Sequence, residues 1–206
     1  MNVKKIHLPV ALAACVILLT GWTSSREDIR KESDKITTLS ARFSQIKKMQ
    51  ILAKPLISTG SFYFKAPDSV RWEYDAPVKN ILLFYQGKVR RYRPASRGFN
   101  EDAGAAIQSM NVMMQEITLW SKGRFSESRS FSSELMAGDP PKIILRPRES
   151  GLAKIIASIE ITLAPDRPGV ITCINVNEGE GNTTTFQFND VKINGELEDS
   201  LFRDPG

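Results

Sequence analysis

Histidine and cysteine are the scarcest functional side chains in this 206-residue sequence. The only histidine is His7, and the two cysteines are Cys15 and Cys173. Because His7 and Cys15 lie in an N-terminal segment with the pattern of a cleaved leader, the rest of the chain has no imidazole and one thiol. That remainder excludes a Ser-His-Asp or Cys-His arrangement, a histidine-based zinc site and an internal disulfide.

Signatures of nucleotide-dependent enzymes are absent as well, since the sequence has neither a Walker loop nor a G-x-G-x-x-G fingerprint. The nearest approach to a catalytic carboxylate pair is Glu178 and Glu180. Residues 179–182, GEGN, separate two strand-like runs, which predicts a hairpin turn with solvated carboxylates. We therefore predict that the protein is not an enzyme and needs no cofactor or metal.

Residues 1–24 have the pattern of a secretory signal peptide. Lys4 and Lys5 precede an apolar run over residues 8–19, and small or polar residues follow. The run is shorter than the roughly 20 residues that span a bilayer. We predict export to the periplasm, with cleavage near residues 21–25.

Two alternatives remain open for this leader. Residues 12–15, LAAC, resemble a lipobox that would attach lipid to Cys15, although the apolar run continues beyond it as VILLTG. The other alternative is an uncleaved membrane anchor.

Composition and charge are those of a globular protein, with 41% apolar and 25% charged residues. Loss of Lys4 and Lys5 with the leader lowers the net charge from +5 to about +3. No block of like charges stands out, so we predict no nucleic-acid partner. Residues 25–206 fit a single domain, and Cys173 lies in an apolar run, VITCINV, typical of a buried, inert thiol.

Two stretches have the apolar spacing of amphipathic helices. In residues 26–50 the apolar stripe comprises Ile29, Ile36, Leu39, Phe43 and Ile46, with Ser33 and Asp34 as candidate caps. In residues 100–125 the stripe comprises Ile107, Met110, Met113, Met114, Ile117 and Trp120, with Asn100 or Asp102 as candidate caps.

Most other stretches alternate apolar and polar side chains, as half-buried strands do. Shared faces are predicted for Phe62 with Phe64, for Val70 with Trp72 and Tyr74, and for Leu82 with Phe84. A further strand follows the turn at Gln86-Gly87, and four more are predicted in residues 142–149, 156–165, 169–178 and 183–193. The order of helix, four strands, helix and four strands predicts an α+β fold, a curved antiparallel sheet with helices on its open side.

These residues carry a resemblance to the LolA family of periplasmic lipoprotein carriers. The family opens with a pattern L-x-A-x-F-x-Q, assigned to a helix, which is matched by Leu39, Ala41, Phe43 and Gln45. Its next signature is matched by Gly60, Phe62, Phe64, Lys65, Pro67, Arg71 and Trp72, and its closing pattern by residues 199–202. The matches occur in the family's order over nearly the whole chain after the leader.

The resemblance implies a LolA/LolB-like incomplete β-barrel, covered by helices, whose apolar interior receives acyl chains. It implies a cavity wall of Phe43, Phe62, Phe64, Val70, Trp72, Tyr74, Leu82 and Phe84. It implies a lid of Ile107, Met110, Met113, Met114, Ile117 and Trp120. The implied partners are lipoprotein acyl chains or another lipid, with transient contacts to an inner-membrane exporter and an outer-membrane acceptor, and the implied state is a monomer.

One position departs from the family pattern. Many members have an arginine after the lysine of the K-x-P motif, where it holds the lid shut, and here that position is Ala66. Lys65 and Arg71 are the candidates to replace it, although an ammonium group does not reproduce the planar guanidinium fork.

Two functions remain open on this basis. The first is a periplasmic carrier that takes lipoproteins, or an amphiphile such as a glycolipid, from the inner to the outer membrane. The second is a module that senses a lipid anchor for a partner without transporting it. Alternating aromatic residues also suit ordinary core packing, so the wall prediction competes with a solid interior.

Overall fold

The structure is a computed structural model that describes residues 25–102 and 105–206. The predicted signal peptide at residues 1–24, and the alternatives of a lipidated Cys15 or an uncleaved anchor, therefore lie outside the described residues. No helix within the two described ranges combines the length and hydropathy needed to cross a membrane.

One antiparallel sheet forms the frame, with eleven strands in the described part of the chain. The strands are β1 Thr38–Lys48, β2 Leu56–Lys65, β3 Ser69–Ala76, β4 Asn80–Tyr85, β5 Lys88–Pro94, β6 Phe99–Glu101, β7 Phe131–Met136, β8 Lys142–Pro147, β9 Ser158–Leu163, β10 Ile171–Gly179 and β11 Asn182–Ile193. Their order is β6-β5-β4-β3-β2-β1-β11-β10-β9-β8-β7. Since β6 and β7 are both edges, the barrel is unclosed, and the predicted fold class is confirmed.

Three helices accompany the sheet in the described ranges: α1 Arg26–Asp34, α2 Ala105–Ser121 and α3 Ser150–Ala153. The predicted helix in residues 100–125 is confirmed as α2. The predicted strand count was too low, because β1, β6 and β7 were missed. Strand β6 has only three residues, too few for an alternating pattern to be recognised.

The prediction of one helix through residues 26–50 was wrong. Helix α1 ends at Asp34, and the chain continues as β1 from Thr38. Leu39, Ala41 and Phe43 follow one another at intervals of two residues, which favours a strand. The apolar stripe over the same segment favours a helix, so the local sequence is compatible with both. Pairing decides between them, because β1 is hydrogen-bonded to β2 on one side and to β11 on the other.

Helix capping also differs from the prediction. The Oγ of Ser25 accepts from Asp28 N at 3.1 Å, and the Asp28 carboxylate accepts from Ser25 N at 3.0 Å, so Ser25 caps α1 in place of Ser33 or Asp34. Asn100 lies within β6, so its prediction as a cap of α2 was also wrong.

The two predicted tight turns are confirmed by their backbone angles. Gln86 and Gly87 have φ of 50° and 74°, and Glu180 and Gly181 have φ of 49° and 73°, as the hairpins β4–β5 and β10–β11 require. Glu178 beside the second turn accepts from Lys47 Nζ and Thr184 Oγ1, and these contacts lower its pKa against the opposing effect of desolvation. Cys173 is half-buried on β10, and burial raises the pKa of its thiol.

Apolar side chains form one core cluster under each half of the sheet. The cluster under β7–β10 includes Phe131, Ile143, Leu145, Ile159 and Ile161. The cluster under β1–β5 includes Phe43, Phe64, Val70, Trp72 and Phe84. Helix α2 joins the two, since Trp120 packs in the first and Met114 in the second.

Arg71 fastens the C-terminal segment to the outer face of the sheet. Its side chain is 6% exposed and donates to the carbonyl oxygens of Leu201, Asp204 and Pro205 at 2.8–3.0 Å. The guanidinium also pairs with Glu73 at 2.8 Å. These bonds hold Phe202, which is fully buried, against the sheet.

Substitution of Gly60 by alanine should destabilise the sheet at the point where three strands meet. A Cβ at this position would lie 2.5 Å from Phe43 Cζ and closer still to Glu73 O. We expect the free energy of unfolding in urea to fall by about 1–3 kcal/mol, as for other overpacked sites. The control is Gly151→Ala, whose Cβ meets open space; equal unfolding midpoints for the two variants would contradict the expectation.

Substitution of Arg71 by lysine should loosen the C-terminal segment while conserving charge. The ammonium group cannot reach three carbonyls and Glu73 together, so buried acceptors lose their donor. We expect the free energy of unfolding to fall by about 2 kcal/mol. The backbone amides of residues 201–206 should exchange their hydrogens with solvent faster than in the wild type. Arg90→Lys, at an exposed ion pair with Glu101, should change stability by less than about 0.5 kcal/mol.

Candidate functional site

An apolar cavity of about 500 Å³ lies between α2 and the concave face of the sheet. We call it the α2 cavity, and it is lined by Trp72, Tyr74, Leu82, Met110, Met113, Met114, Ile117, Trp120, Ile174, Val176 and Phe186. Its size falls in the range of roughly 300–1,000 Å³ that is typical of sites for organic ligands. Its lining favours a hydrophobic ligand.

Strand geometry explains why residues from distant parts of the chain meet at this cavity. Trp72 and Tyr74 are two apart on β3, and Ile174 and Val176 are two apart on β10, so each pair shares one face of its strand. Phe186 on β11 lies between them, because β11 pairs with both β10 and β1.

Aromatic packing makes the floor of the α2 cavity rigid. Trp72 is 5% exposed and has ring centroids of Phe43, Phe62 and Phe186 at 5.1, 5.3 and 5.2 Å. The tilted and edge-on ring contacts are those that aromatic quadrupoles favour. A ligand above Trp72 therefore meets a surface that is already ordered.

A much smaller inner hollow, about 30 Å³, continues behind this floor. It is lined by Leu39, Ala41, Phe62, Trp72, Ile117, Trp120, Ser121, Gly169, Ile171, Ile174, Phe188 and Val191. Its volume leaves room for only a few water molecules at most. The interior is thus nearly solid behind Trp72 and open in front of it.

The structure divides the eight predicted wall residues into three groups. Trp72, Tyr74 and Leu82 line the α2 cavity, and Phe62 lines the inner hollow together with Trp72. Phe43, Phe64, Val70 and Phe84 pack in the core beneath β1–β5 and line neither space. Ordinary core packing accounts for these last four.

Five of the six predicted lid residues line the α2 cavity from the helix side: Met110, Met113, Met114, Ile117 and Trp120. Ile107 instead lines a separate surface hollow with Val89 and Phe202. Val112, on the outward face of α2, is exposed. Methionine side chains on the cavity face are flexible and polarizable, which suits ligands of variable shape.

The C-terminal half of α2 is held by a buried carboxylate that sequence reasoning missed. Glu116 is 4% exposed, and its Oε1 accepts from Ser128 Oγ at 2.8 Å. The same Ser128 Oγ accepts from Phe131 N at 2.8 Å, which connects the helix to β7. Met110 and Met113, one to two turns earlier, are half-buried where they face the α2 cavity.

One polar group stands at the edge of the apolar lining. Tyr74 donates its hydroxyl proton to Gln45 Oε1 at 2.7 Å. Burial raises the pKa of Tyr74 to about 12, so the phenol stays neutral and keeps this bond at physiological pH. Within the described ranges, no group of three or more His, Cys, Asp or Glu side chains could hold a metal ion.

The three candidates for a lid clamp lie away from α2. Lys65 Nζ donates to Leu197 O at 2.8 Å and pairs with Asp199 at 2.6 Å. Arg71 holds the C-terminal segment as described above, and Ala66 donates its backbone N–H to Thr37 O at 2.8 Å. The partners in these contacts belong to the C-terminal segment or to the connection between α1 and β1, and none belongs to α2.

Sequence reasoning also missed the far wall of the α2 cavity. Ile174, Val176 and Phe186 belong to strands that were predicted but not assigned to the site. The alternation of Phe186 and Phe188 in TTTFQFND was the available signal. It could not show that β11 and β3 face one hollow, because their closeness depends on β1 between them.

The sequence is similar to those of proteins named outer-membrane lipoprotein carrier protein. An outer-membrane lipoprotein carrier protein of Pseudomonas aeruginosa is 26% identical over 172 residues, which are 82% of this chain and 77% of that protein. A protein of the same name from Chromohalobacter salexigens is 21% identical over 197 residues, 93% of this chain and 88% of its own length.

Among solved structures, a LolA superfamily protein from Nitrosomonas europaea aligns with a TM-score of 0.46 at 8% identity, covering 87% of this chain and 97% of that one. The family model described as outer membrane lipoprotein carrier protein LolA matches residues 34–204. That range contains all eleven strands, α2 and the α2 cavity. The chain belongs to the LolA family.

Proposed function

We propose that the protein binds the acyl chains of lipoproteins, or of a related amphiphile, in the α2 cavity and carries them through the periplasm from the inner to the outer membrane. The observation that supports this most directly is an apolar cavity of about 500 Å³ between α2 and the concave face of the sheet, lined from the helix by three methionines. Relatives named outer-membrane lipoprotein carrier protein point to the same cargo class.

The energetics of acyl chains explain why such a carrier needs this cavity. Each buried methylene contributes about 0.8 kcal/mol, so a sixteen-carbon chain represents on the order of 12 kcal/mol. An exposed apolar groove of matching size would favour aggregation of the empty protein. A helix that covers the groove when it is empty and yields to the ligand satisfies both requirements.

Helix α2 has the properties of such a cover. Its C-terminal half is fixed by Trp120 in the core and by the Glu116–Ser128 bond. Its earlier turns present Met110 and Met113 to the cavity, and both side chains are half-buried. Loading and release then correspond to a shift between closed and open positions of these turns.

The predicted leader and the membership of the LolA family support a periplasmic location. On that basis the protein takes its cargo from an inner-membrane exporter and delivers it to an outer-membrane acceptor, acting as a monomer without a cofactor.

A charged side chain inside the α2 cavity should prevent lipid binding. We expect Met113→Asp to weaken binding of a fluorescent long-chain fatty acid at least tenfold, because a carboxylate in an apolar site opposes burial of methylenes. The control is Val112→Asp, one residue away on the outward face of α2, which should stay within about twofold of the wild type. Thermal unfolding of both variants checks that each is folded; equal losses of binding would contradict the assignment of the cavity.

An assay of lipoprotein transfer distinguishes a carrier from a lipid-sensing module on the same scaffold. We expect a labelled lipoprotein, bound by the purified protein, to pass to outer-membrane vesicles and to leave the soluble fraction. A sensor would bind the labelled lipoprotein and retain it. Retention of bound cargo by wild-type protein, with Met113→Asp unable to bind, would favour the sensing module over transport.

A further inference from the structure

The strand register brings several turns of the barrel to one end. Lys47 pairs with Leu56 and Lys48 with Thr183, so the β1–β2 and β10–β11 turns lie side by side. The pairings Thr59 with Ala76 and Asn177 with Ser158 place the β3–β4 turn and α3 at the same end. We call this surface the tip surface: residues 49–57, 77–79, 154–155 and 180–181.

The tip surface concentrates exposed aliphatic side chains. Six of the eight large hydrophobic residues that are exposed in the described part of the chain lie on it: Ile51, Leu52, Leu56, Ile57, Val78 and Ile155. Ile51 is 83% exposed, and Val78 and Ile155 are each 65% exposed. The other two, Val112 and Met136, lie on α2 and at the opposite end of the sheet. Clustering of this kind marks an interaction surface.

Basic side chains flank these aliphatic residues. Lys48, Lys54 and Lys154 are exposed, and within the described residues none of them is in an ion pair. The acidic groups at this end are Glu178, Asp75 and Glu73, which pair with Lys47, Arg42 and Lys79, and the exposed Glu149 and Glu180. Aliphatic tips with lysines at their base match a bilayer that presents anionic headgroups over an apolar interior.

The tip of the β1–β2 turn is held in place. Gln50 N donates to Asn182 Oδ1 at 2.9 Å, which ties this turn to the β10–β11 hairpin. Leu52 N donates to Met49 O at 3.0 Å within the turn. Ile51 is therefore presented on an ordered backbone, which lowers the entropy lost on docking.

The α2 cavity lies toward the same end of the barrel. Its lining runs along β3 from Trp72 to Tyr74 and along β10 from Ile174 to Val176, in both cases toward the tip surface. The inner hollow extends the other way, toward Leu39 and Val191. A ligand leaving the α2 cavity on this side would emerge close to whatever the tip surface touches.

We propose that the tip surface docks on a lipid bilayer with anionic headgroups, inserting Ile51, Val78 and their aliphatic neighbours among the lipids. The aliphatic side chains are spread over separate segments of the chain, at residues 51–57, 78 and 155, which suits a fluid bilayer better than a shaped protein pocket. A second copy of the chain seated there would place the unpaired lysines of both chains in one interface, which like-charge repulsion opposes. The surface extends the proposed function, since it would orient the cavity toward the membrane.

Vesicle sedimentation tests the apolar part of this surface. The purified protein is mixed with phosphatidylethanolamine vesicles containing about 30% phosphatidylglycerol, the anionic component. We expect Ile51→Asp/Val78→Asp to lower partitioning at least tenfold. The control Val112→Asp/Met136→Asp adds the same charge at exposed aliphatic positions away from the tip surface and should stay within about twofold of the wild type.

A second pair of variants tests the charge. Lys48→Glu/Lys54→Glu should weaken partitioning more than Lys88→Glu/Lys192→Glu, which gives the same net charge with both changes at the opposite end. Wild-type partitioning should fall as salt rises, because the anionic surface is screened. Equal effects of the two pairs would overturn the proposal.

Two further readouts identify other occupants of the tip surface. If sedimentation velocity shows a wild-type dimer that Ile51→Asp/Val78→Asp dissociates, the surface belongs to a second copy and the proposal fails. It also fails if the wild-type protein does not bind protein-free vesicles but does bind native membranes through a membrane protein. Fatty-acid binding by Ile51→Asp/Val78→Asp should remain unchanged, so failure of docking is distinct from failure of the cavity.

Discussion

The pairing of β1 with β2 on one side and β11 on the other is the interaction on which the rest of the structure depends. It joins the sheet half β2–β6 to the half β7–β11, which are far apart in sequence. The rings of Trp72 and Phe186 come from opposite halves, and their centroids lie 5.2 Å apart. They are brought together because β1, which carries Phe43, joins the two halves of the sheet. In the strand order, β1 is the link between β2 and β11, and so between the two halves of the sheet.

A sheet curved in this way cannot be filled equally throughout by its own side chains. Core clusters fill the space beneath each half, and α2 crosses between them with Met114 in one and Trp120 in the other. The gap that remains in front of Trp72 is the α2 cavity. The same helix is thus part of both core clusters and one wall of the hollow.

Local patterns predicted much of this architecture, and their failures have physical causes. Alternation placed Phe62, Phe64, Trp72 and Tyr74 on shared strand faces, and glycine chemistry placed two hairpin turns. The segment that becomes β1 satisfies both a helical and an alternating pattern, so partners on both sides had to decide. Glu116 offered no sequence signal, because its partner Ser128 is recognised only when α2 and β7 are close.

The sequence by itself determined which side chains share a face, because the pleat of a strand and the pitch of a helix are properties of the local backbone. Tertiary structure alone decided which of those faces are solid and which are open. Phe64 and Trp72 come from the same signature and both point inward, yet Phe64 is enclosed by protein atoms while Trp72 borders a cavity. The difference arises from the curvature of the sheet and the position of α2, which depend on pairings between residues distant in sequence.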